Sequence, residues 1–183
     1  MDAELVLDAR NGVGESPVWV AQEQALYWVD IPARMLLRWQ SADGRVERWA
    51  APEMIGCIAP TANGEWICAM ETGVFRMKPQ AGGLLQGRQI AAVPHALPGM
   101  RFNDGRCDRQ GRFRAGTMLM DMGAARAAGV DVVVEGPDLL HLGVRVAQIH
   151  GAAVGTEGQA VGDHEVGNQR CQTAVLLQAV EHA

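Results

Sequence analysis

The chain has 183 residues, of which 48% are hydrophobic and 20% charged, and its formal net charge is -5. These values are typical of a soluble globular protein of one or two domains, and they exclude a disordered tail, a collagen-like fibre and a coiled coil. No stretch reaches 18 apolar residues, which predicts no membrane span, and the acidic balance predicts no nucleic-acid partner. All nine aromatic residues precede position 114, so the last 70 residues contain none.

The chain start and the cysteines indicate a reducing compartment. The first four residues, Met-Asp-Ala-Glu, lack the basic and then apolar order of a signal peptide. The cysteines are widely spaced and form no C-x-x-C pair, which argues against a zinc ribbon or a thioredoxin-like site; they are Cys57, Cys68, Cys107 and Cys171. We therefore expect free thiols and a cytoplasmic location.

Short strands bounded by turn-forming residues are predicted over the first 120 residues. The first unit has four of them, at 16–20, 25–31, 35–40 and 45–50. Asp43-Gly44 is a hairpin signal between the third and the fourth, because this dipeptide tolerates positive φ. The second unit repeats the pattern at 55–60, 65–70, 73–78 and near 89–93, and a third unit begins at Asn103 and continues with 113–118.

The spacing of these units indicates a repeat. They start near residues 15, 55 and 103, and a period of 40 to 48 residues is typical of the four-stranded blades of a β-propeller. A β-sandwich is the alternative, but the recurring order of turn and strand favours the propeller. The pattern stops after residue 122, where we predict a strand at 130–134, a loop over 151–167 and a short helix over 171–182.

Polar residues occupy similar places in these units, in segments 12–19, 99–105 and 115–121. The start of each innermost strand of a propeller faces the central channel, so such residues converge on one axial site. Glu and Asn oxygens suit a hard divalent cation, which could polarise a carbonyl group. Taken singly, the same residues fit a solvated glutamate, a surface arginine or an Asn-Asp-Gly turn.

Four motifs in continuous order carry a specific resemblance: G-E-S-P-V-W at 14–19, A-L-Y-W-V-D-I at 25–31, R-F-N-D-G-R-C-D at 101–108 and G-R-F-R-A-G-T-M at 111–118. Together they resemble the SMP-30/gluconolactonase/regucalcin family. That resemblance implies an all-β, six-bladed propeller that holds one divalent metal ion (Ca, Zn, Mg or Mn) and hydrolyses sugar lactones.

The resemblance also implies roles for single residues. Glu15 matches the first metal ligand of the family, and Arg101 and Asn103 match residues that contact the substrate. Asp121 falls where an acidic residue bonds the sugar. Asp30 and Asp104 correspond to turn and supporting positions rather than ligands.

The chain departs from the family pattern in three ways. Six blades need roughly 250–300 residues, so we expect a partial propeller of about 2.5 blades at 1–123, followed by an atypical tail at 124–183. The second ligand Asn and the catalytic Asp of the family, which lie in later blades, have no counterpart after residue 123. Arg114 stands where the family usually has an aromatic residue, and a buried, unpaired cation there would cost several kcal/mol.

Three functions remain open. The first is metal-dependent hydrolysis of a sugar lactone to the aldonic acid. The second is an inactive fragment, truncated or carrying a tail read in a shifted frame, with at most weak calcium binding. A propeller scaffold for protein partners is the third, and the site motifs make it the least favoured.

Overall fold

A computed structural model describes residues 5–95, 97–121, 128–135 and 143–150, the last two ranges by their backbone alone. Every regular element in the described ranges is a strand, which confirms the all-β prediction. No helix there is long and apolar enough to cross a bilayer. The predicted helix at 171–182 and the predicted loop at 151–167 lie outside the described residues.

Two four-stranded blades share one sheet of eight strands in the order β1-β2-β3-β4-β8-β7-β6-β5. Blade 1 consists of β1 Gly14–Val20, β2 Ala25–Asp30, β3 Met35–Gln40 and β4 Val46–Ala50. Blade 2 consists of β5 Ile55–Pro60, β6 Trp66–Met70, β7 Gly73–Gln80 and β8 Leu84–Ala92. Strands within each blade are antiparallel, and the two outer strands meet in one parallel pair, Ala50 with Leu84.

Blade 3 is a separate antiparallel sheet of four strands in the order β12-β11-β10-β9. Its strands are β9 Met100–Cys107, β10 Phe113–Leu119, β11 Ala128–Glu135 and β12 Gly143–His150. The strand predicted at 130–134 is therefore confirmed as β11, which pairs with β10 from Phe113–Val134 to Gly116–Asp131. β11 and β12 lie beyond residue 123, where the sequence predicts an atypical tail. The division of the chain at that residue stays a prediction.

Apolar layers between the blades form the core. One layer joins blade 1 to blade 2 and includes Tyr27, Leu36, Ile58, Trp66 and Met77. Another joins blade 2 to blade 3; its members include Cys57, Ile67, Val74, Phe102 and Phe113. The first strands of the blades, β1, β5 and β9, contact one another. They form the side of the molecule on which a propeller has its axis.

Asp30, at the end of β2, holds the segment that leads into β1. It is 7% exposed, and its carboxylate accepts hydrogen bonds from the Asn11 side chain at 3.1 Å, Gly12 N–H at 3.1 Å and Val13 N–H at 3.3 Å. Asn11 in turn accepts a bond from the Trp28 indole N–H at 2.8 Å. Asp30 thus fixes the segment before β1, and its supporting role at the site stays a prediction.

The turn between β9 and β10 corrects the expectation for Arg114. Its side chain is 44% exposed and its Nε donates to Asp108 Oδ2 at 3.0 Å, so no buried, unpaired cation arises. Burial alone would raise the pKa of Asp108, but hydrogen bonds from Arg112, Arg114 and Gln110 outweigh it. The pKa of this carboxyl is therefore held well below its usual range.

The Asp30 network predicts a measurable loss of stability. We expect Asp30→Ala to lower the free energy of unfolding by about 1–3 kcal/mol, because it leaves the N–H groups of Gly12 and Val13 without their acceptor. Urea denaturation measures this change. Asp8→Ala is the control, since the Asp8–Arg10 pair is largely exposed, and it should cost at most about 1 kcal/mol. Equal losses in the two variants would contradict the structural role of Asp30.

The lowered pKa of Asp108 predicts that the free energy of unfolding depends on pH. Because its pKa is lower in the folded than in the unfolded state, its stabilisation is full at neutral pH and is lost as pH falls below about 4. We expect Asp108→Ala to be less stable than the wild type at pH 7, with a difference that shrinks between about pH 5 and pH 2. Urea titrations across that range measure the difference, and a constant value would be inconsistent with this account.

Candidate functional site

Each first strand of the three blades carries a β-bulge. The register between β1 and β2 shifts between Glu15 and Val18, and that between β5 and β6 shifts between Ile55 and Cys57. The register between β9 and β10 shifts between Ala115 and Thr117 of β10. A bulge bends its strand and redirects the neighbouring side chains. Two of the three bulges adjoin or contain residues that the sequence predicts for the site.

The bulge of β1 directly follows Glu15. Ser16 has a φ of 53°, in the left-handed region that side chains other than glycine seldom adopt. Its hydroxyl oxygen accepts the backbone N–H of Ile58 from β5 at 2.9 Å. The bulge that orients Glu15 is therefore attached to blade 2.

The bulge of β9 consists of Asn103 and Asp104. Phe102 pairs with Thr117 and Gly105 pairs with Ala115, which leaves these two residues opposite the single residue Gly116. The Asn103-Asp104-Gly105 segment is thus part of a strand and not a hairpin turn. Both bulge side chains are exposed rather than packed into the core.

A cavity of about 180 Å³ lies among the three first strands. It is partly enclosed, and two acidic residues and one arginine are among the residues that line it. The described residues that line it are Glu15, Ser16, Pro17, Val18, Ile58, Asp104, Gly105 and Arg106. Residues nearly 90 positions apart in the sequence thus meet on the axial side of the blades.

Arg101 shares the electrostatic environment of Glu15. It is half-buried, and its Nη1 donates to the backbone oxygen of Phe102 at 2.6 Å. Burial lowers the pKa of Arg101, while the negative charges of Glu15 and Glu71 act in the opposite direction. Glu15, predicted as a metal ligand, is therefore close enough to Arg101, predicted as a substrate residue, to stabilise the guanidinium charge.

Asn103 and Asp121 do not line the axial cavity. Asn103 is exposed on the β9 bulge, and Asp121 is exposed just after β10. Met120, which precedes Asp121, donates its N–H to Gly99 O at 3.0 Å. Asp121 consequently lies at the end of the β9–β10 hairpin where β9 begins, the same end as Arg101.

A second cavity, of about 560 Å³, opens at that end of the hairpin. It is mostly apolar, and its described lining is Glu71, Thr72, His95, Leu97, Pro98, Gly99, Met100 and Met120. His95 Nε2 lies 2.6 Å from the backbone oxygen of Glu71. Its lining residues Met100 and Met120 are the sequence neighbours of Arg101 and Asp121.

The predicted metal site is supported only in part. Glu15 and Asp104 offer carboxylate oxygens, which suit a hard divalent cation. Within the part of the chain that the structure describes, however, no group of three or more His, Cys, Asp or Glu residues could hold a metal ion. Glu15 and Asp104 could therefore supply only some of the ligands that a divalent cation needs.

The sequence did not point to Ser16, Glu71 or Arg106, and it gave Asp104 only a supporting role. A serine after a glutamate carries no signal of a bulge, and Glu71 reaches Arg101 only through the packing of blade 2 against blade 3. Arg106 belongs to a quoted motif, but its place in the cavity depends on the approach of β1. Only the tertiary arrangement brings these residues together.

Comparisons with known proteins identify relatives. A 6-deoxy-6-sulfogluconolactonase from Pseudomonas putida is 42% identical over 106 residues, which cover 58% of this chain and 35% of that protein. An L-arabinolactonase from Azospirillum brasilense is 35% identical over 130 residues, covering 69% of this chain and 41% of that protein. Among solved structures, a calcium-binding protein, regucalcin, from Agrobacterium tumefaciens superposes with a TM-score of 0.65 at 26% identity, covering 80% of this chain and 46% of that chain.

The matched ranges show how much of its relatives this chain covers. The chain spans less than half the length of these three relatives. The model of the SMP-30/gluconolactonase/LRE-like region matches residues 13–149, which is more than half of this chain and includes β11 and most of β12. The chain therefore belongs to the SMP-30/gluconolactonase/LRE-like family, and its described residues form three four-stranded blades.

Proposed function

We propose that this chain forms part of the site of a metal-dependent hydrolase that opens sugar lactones to aldonic acids. The observation that carries the proposal is the meeting of the β1 and β9 bulges, which brings Glu15 and Asp104 to one axial cavity and Arg101 within electrostatic reach of Glu15. The substrate class follows from the relatives named as a sulfogluconolactonase and an arabinolactonase.

Among the residues that the structure describes, Glu15 is the one that would hold the metal ion. Glu15 lines the axial cavity, and calcium is supported as one candidate by the name of the regucalcin relative. A divalent cation, when bound, supplies the positive charge that polarises a lactone carbonyl. The remaining ligands would come from outside the described residues.

Arg101, Asn103 and Asp121 would bind and orient the substrate. The guanidinium of Arg101 donates hydrogen bonds to carbonyl or hydroxyl oxygens, and the amide of Asn103 can both donate and accept them. The Asp121 carboxylate would accept hydrogen bonds from sugar hydroxyls. All three lie on the β9–β10 hairpin or directly after it, so one rigid element would fix their spacing.

A second candidate is an inactive propeller fragment with weak calcium binding. The incomplete ligand set among the described residues favours it, as does the fact that the chain spans 35–41% of the two lactonase relatives. In that case the chain would retain Glu15 and the bulged strands but would not hydrolyse lactones.

Hydrolysis assays separate the two candidates. The full chain is given glucono-1,5-lactone or an arabinonolactone at constant pH, with EDTA or with Ca²⁺, Mg²⁺, Mn²⁺ or Zn²⁺, and acid release is followed by titration. We expect metal-stimulated hydrolysis that falls by on the order of 10²-fold in Glu15→Gln, because the cation loses a charged ligand. We expect Asn103→Ala to lower kcat/KM by about 5- to 150-fold, the effect of one lost hydrogen bond of about 1–3 kcal/mol.

Asp8→Asn is the matched control, because it removes one carboxylate from an exposed side chain that lines neither cavity. It should keep full activity. A chain that unfolds cooperatively but hydrolyses no lactone with any of the four metals would contradict the enzyme and leave the inactive fragment.

A further inference from the structure

β5 is the common neighbour of the two strands that carry the site. Its sequence, I-G-C-I-A-P, contains no charged side chain, and residues 55–59 are buried. We propose that β5 positions the site, with Gly56 fixing the Asn103–Asp104 bulge of β9 and the N–H of Ile58 fixing the Ser16 bulge of β1. This inference deepens the proposed function and rests on it for its catalytic consequence.

Gly56 touches the backbone of β9 where its bulge begins. A Cβ atom at position 56 would lie 2.5 Å from the Phe102 carbonyl oxygen and 2.6 Å from that of Asn103. Real Cβ atoms do not approach backbone oxygens so closely, so any side chain here must displace β9 or β5. The absence of a side chain at Gly56 thus sets the distance between the two strands at the predicted substrate residue.

Cys57 contacts β9 where the same bulge ends. Its Sγ would be 2.7 Å from a Cβ atom at Gly105, and Cys57 is fully buried. Gly56 and Cys57 therefore contact β9 on the two sides of Asn103 and Asp104. A bulge held in this way cannot slide along its strand without breaking both contacts.

The hydrogen bond from Ile58 acts on β1 in a corresponding manner. The Ser16 hydroxyl accepts this N–H at 2.9 Å while Ser16 keeps a φ of 53°. A non-glycine residue in this conformation persists only where surrounding contacts fix it. The bond to β5 supplies such a contact one residue after Glu15.

Together these contacts connect Glu15 to Asn103 through one buried strand. The two residues belong to blades 1 and 3, and β5 of blade 2 contacts both of their strands. Gly56, Ile58 and Ser16 are thus positioning residues rather than groups that touch substrate or metal.

Two sets of variants test the proposal in the full chain. Gly56→Ala adds one methyl group against β9, and Gly116→Ala is its control, because a Cβ at Gly116 meets nothing within 4 Å although this residue lies opposite the same bulge. Ser16→Ala removes the hydroxyl. Ser16→Gly also removes it but accepts the positive φ without strain.

Hydrogen exchange, measured by NMR, reports on the geometry of the two bulges and does not require catalytic activity. We expect the Phe102 and Gly105 amides to exchange about tenfold faster in Gly56→Ala and to change less than twofold in Gly116→Ala. Displacing the bulge disturbs the strand pairing at Phe102 and the hydrogen bond that the Gly105 N–H donates to Asp104 Oδ1 at 2.7 Å. The Ile58 amide should exchange about five- to tenfold faster in both Ser16 variants, because each loses the acceptor oxygen. Unchanged exchange at these amides would overturn the proposal.

Lactone hydrolysis and metal affinity are measured separately. With cooperative unfolding retained, we expect kcat/KM for the lactone to fall on the order of 10²-fold in Gly56→Ala, as a displacement of about 1 Å in a catalytic site does, and less than twofold in Gly116→Ala. Mn²⁺ affinity, followed by the EPR signal of the free ion, should weaken about tenfold in Ser16→Ala. Full activity and Mn²⁺ affinity in these variants would overturn the proposal.

The two proposals fail in different ways. A wild-type chain that neither hydrolyses lactones nor binds Mn²⁺ contradicts the proposed function, while the exchange measurements still decide the role of β5. If Gly56→Ala does not fold, the exchange of the Ile58 amide in the Ser16 variants decides the test. Slow Ile58 exchange in Ser16→Gly would then show that the hydroxyl is not the restraint and would overturn the proposal.

Discussion

The close packing of β5 against β9, and its hydrogen bond to β1, is the constraint on which the candidate site depends. Gly56 permits an approach of backbone to backbone at Phe102 and Asn103, and Ile58 binds the Ser16 hydroxyl of the neighbouring strand. Polar side chains can face the axis only because the apolar layers between the blades hold these strands rigidly. The packing that forms the core therefore also positions the site.

Charged residues of blades 1 and 3 meet at the candidate site. Glu15 and Asp104 lie in one cavity with Arg106, and Arg101 is stabilised by Glu15 and Glu71 against the effect of its own burial. Carboxylate oxygens such as those of Glu15 and Asp104 are ligands that a hard divalent cation takes. The resemblance to the family predicts this cation, but the described residues supply only part of its ligands.

Local patterns in the sequence predicted the strands, and tertiary contacts explain the differences. The Met35–Gln40 and Ile55–Pro60 strands match the predicted bounds, because turn-forming residues flank both. β8 begins at Leu84 rather than near residue 89, since Leu84 pairs with Ala50 of the neighbouring blade. Glu15 and Arg101 were found through family motifs. Ser16 lies in one of those motifs, but its positioning role, like that of Gly56, arises only where two blades meet.

Anomalous diffraction from a crystal of the full chain soaked in Mn²⁺ tests most directly whether the bulged strands assemble a metal site. Our account predicts an anomalous peak about 2.0–2.6 Å from a carboxylate oxygen of Glu15, in the cavity that Asp104 also lines. A peak elsewhere on the chain, or none near an ordered Glu15, would contradict it.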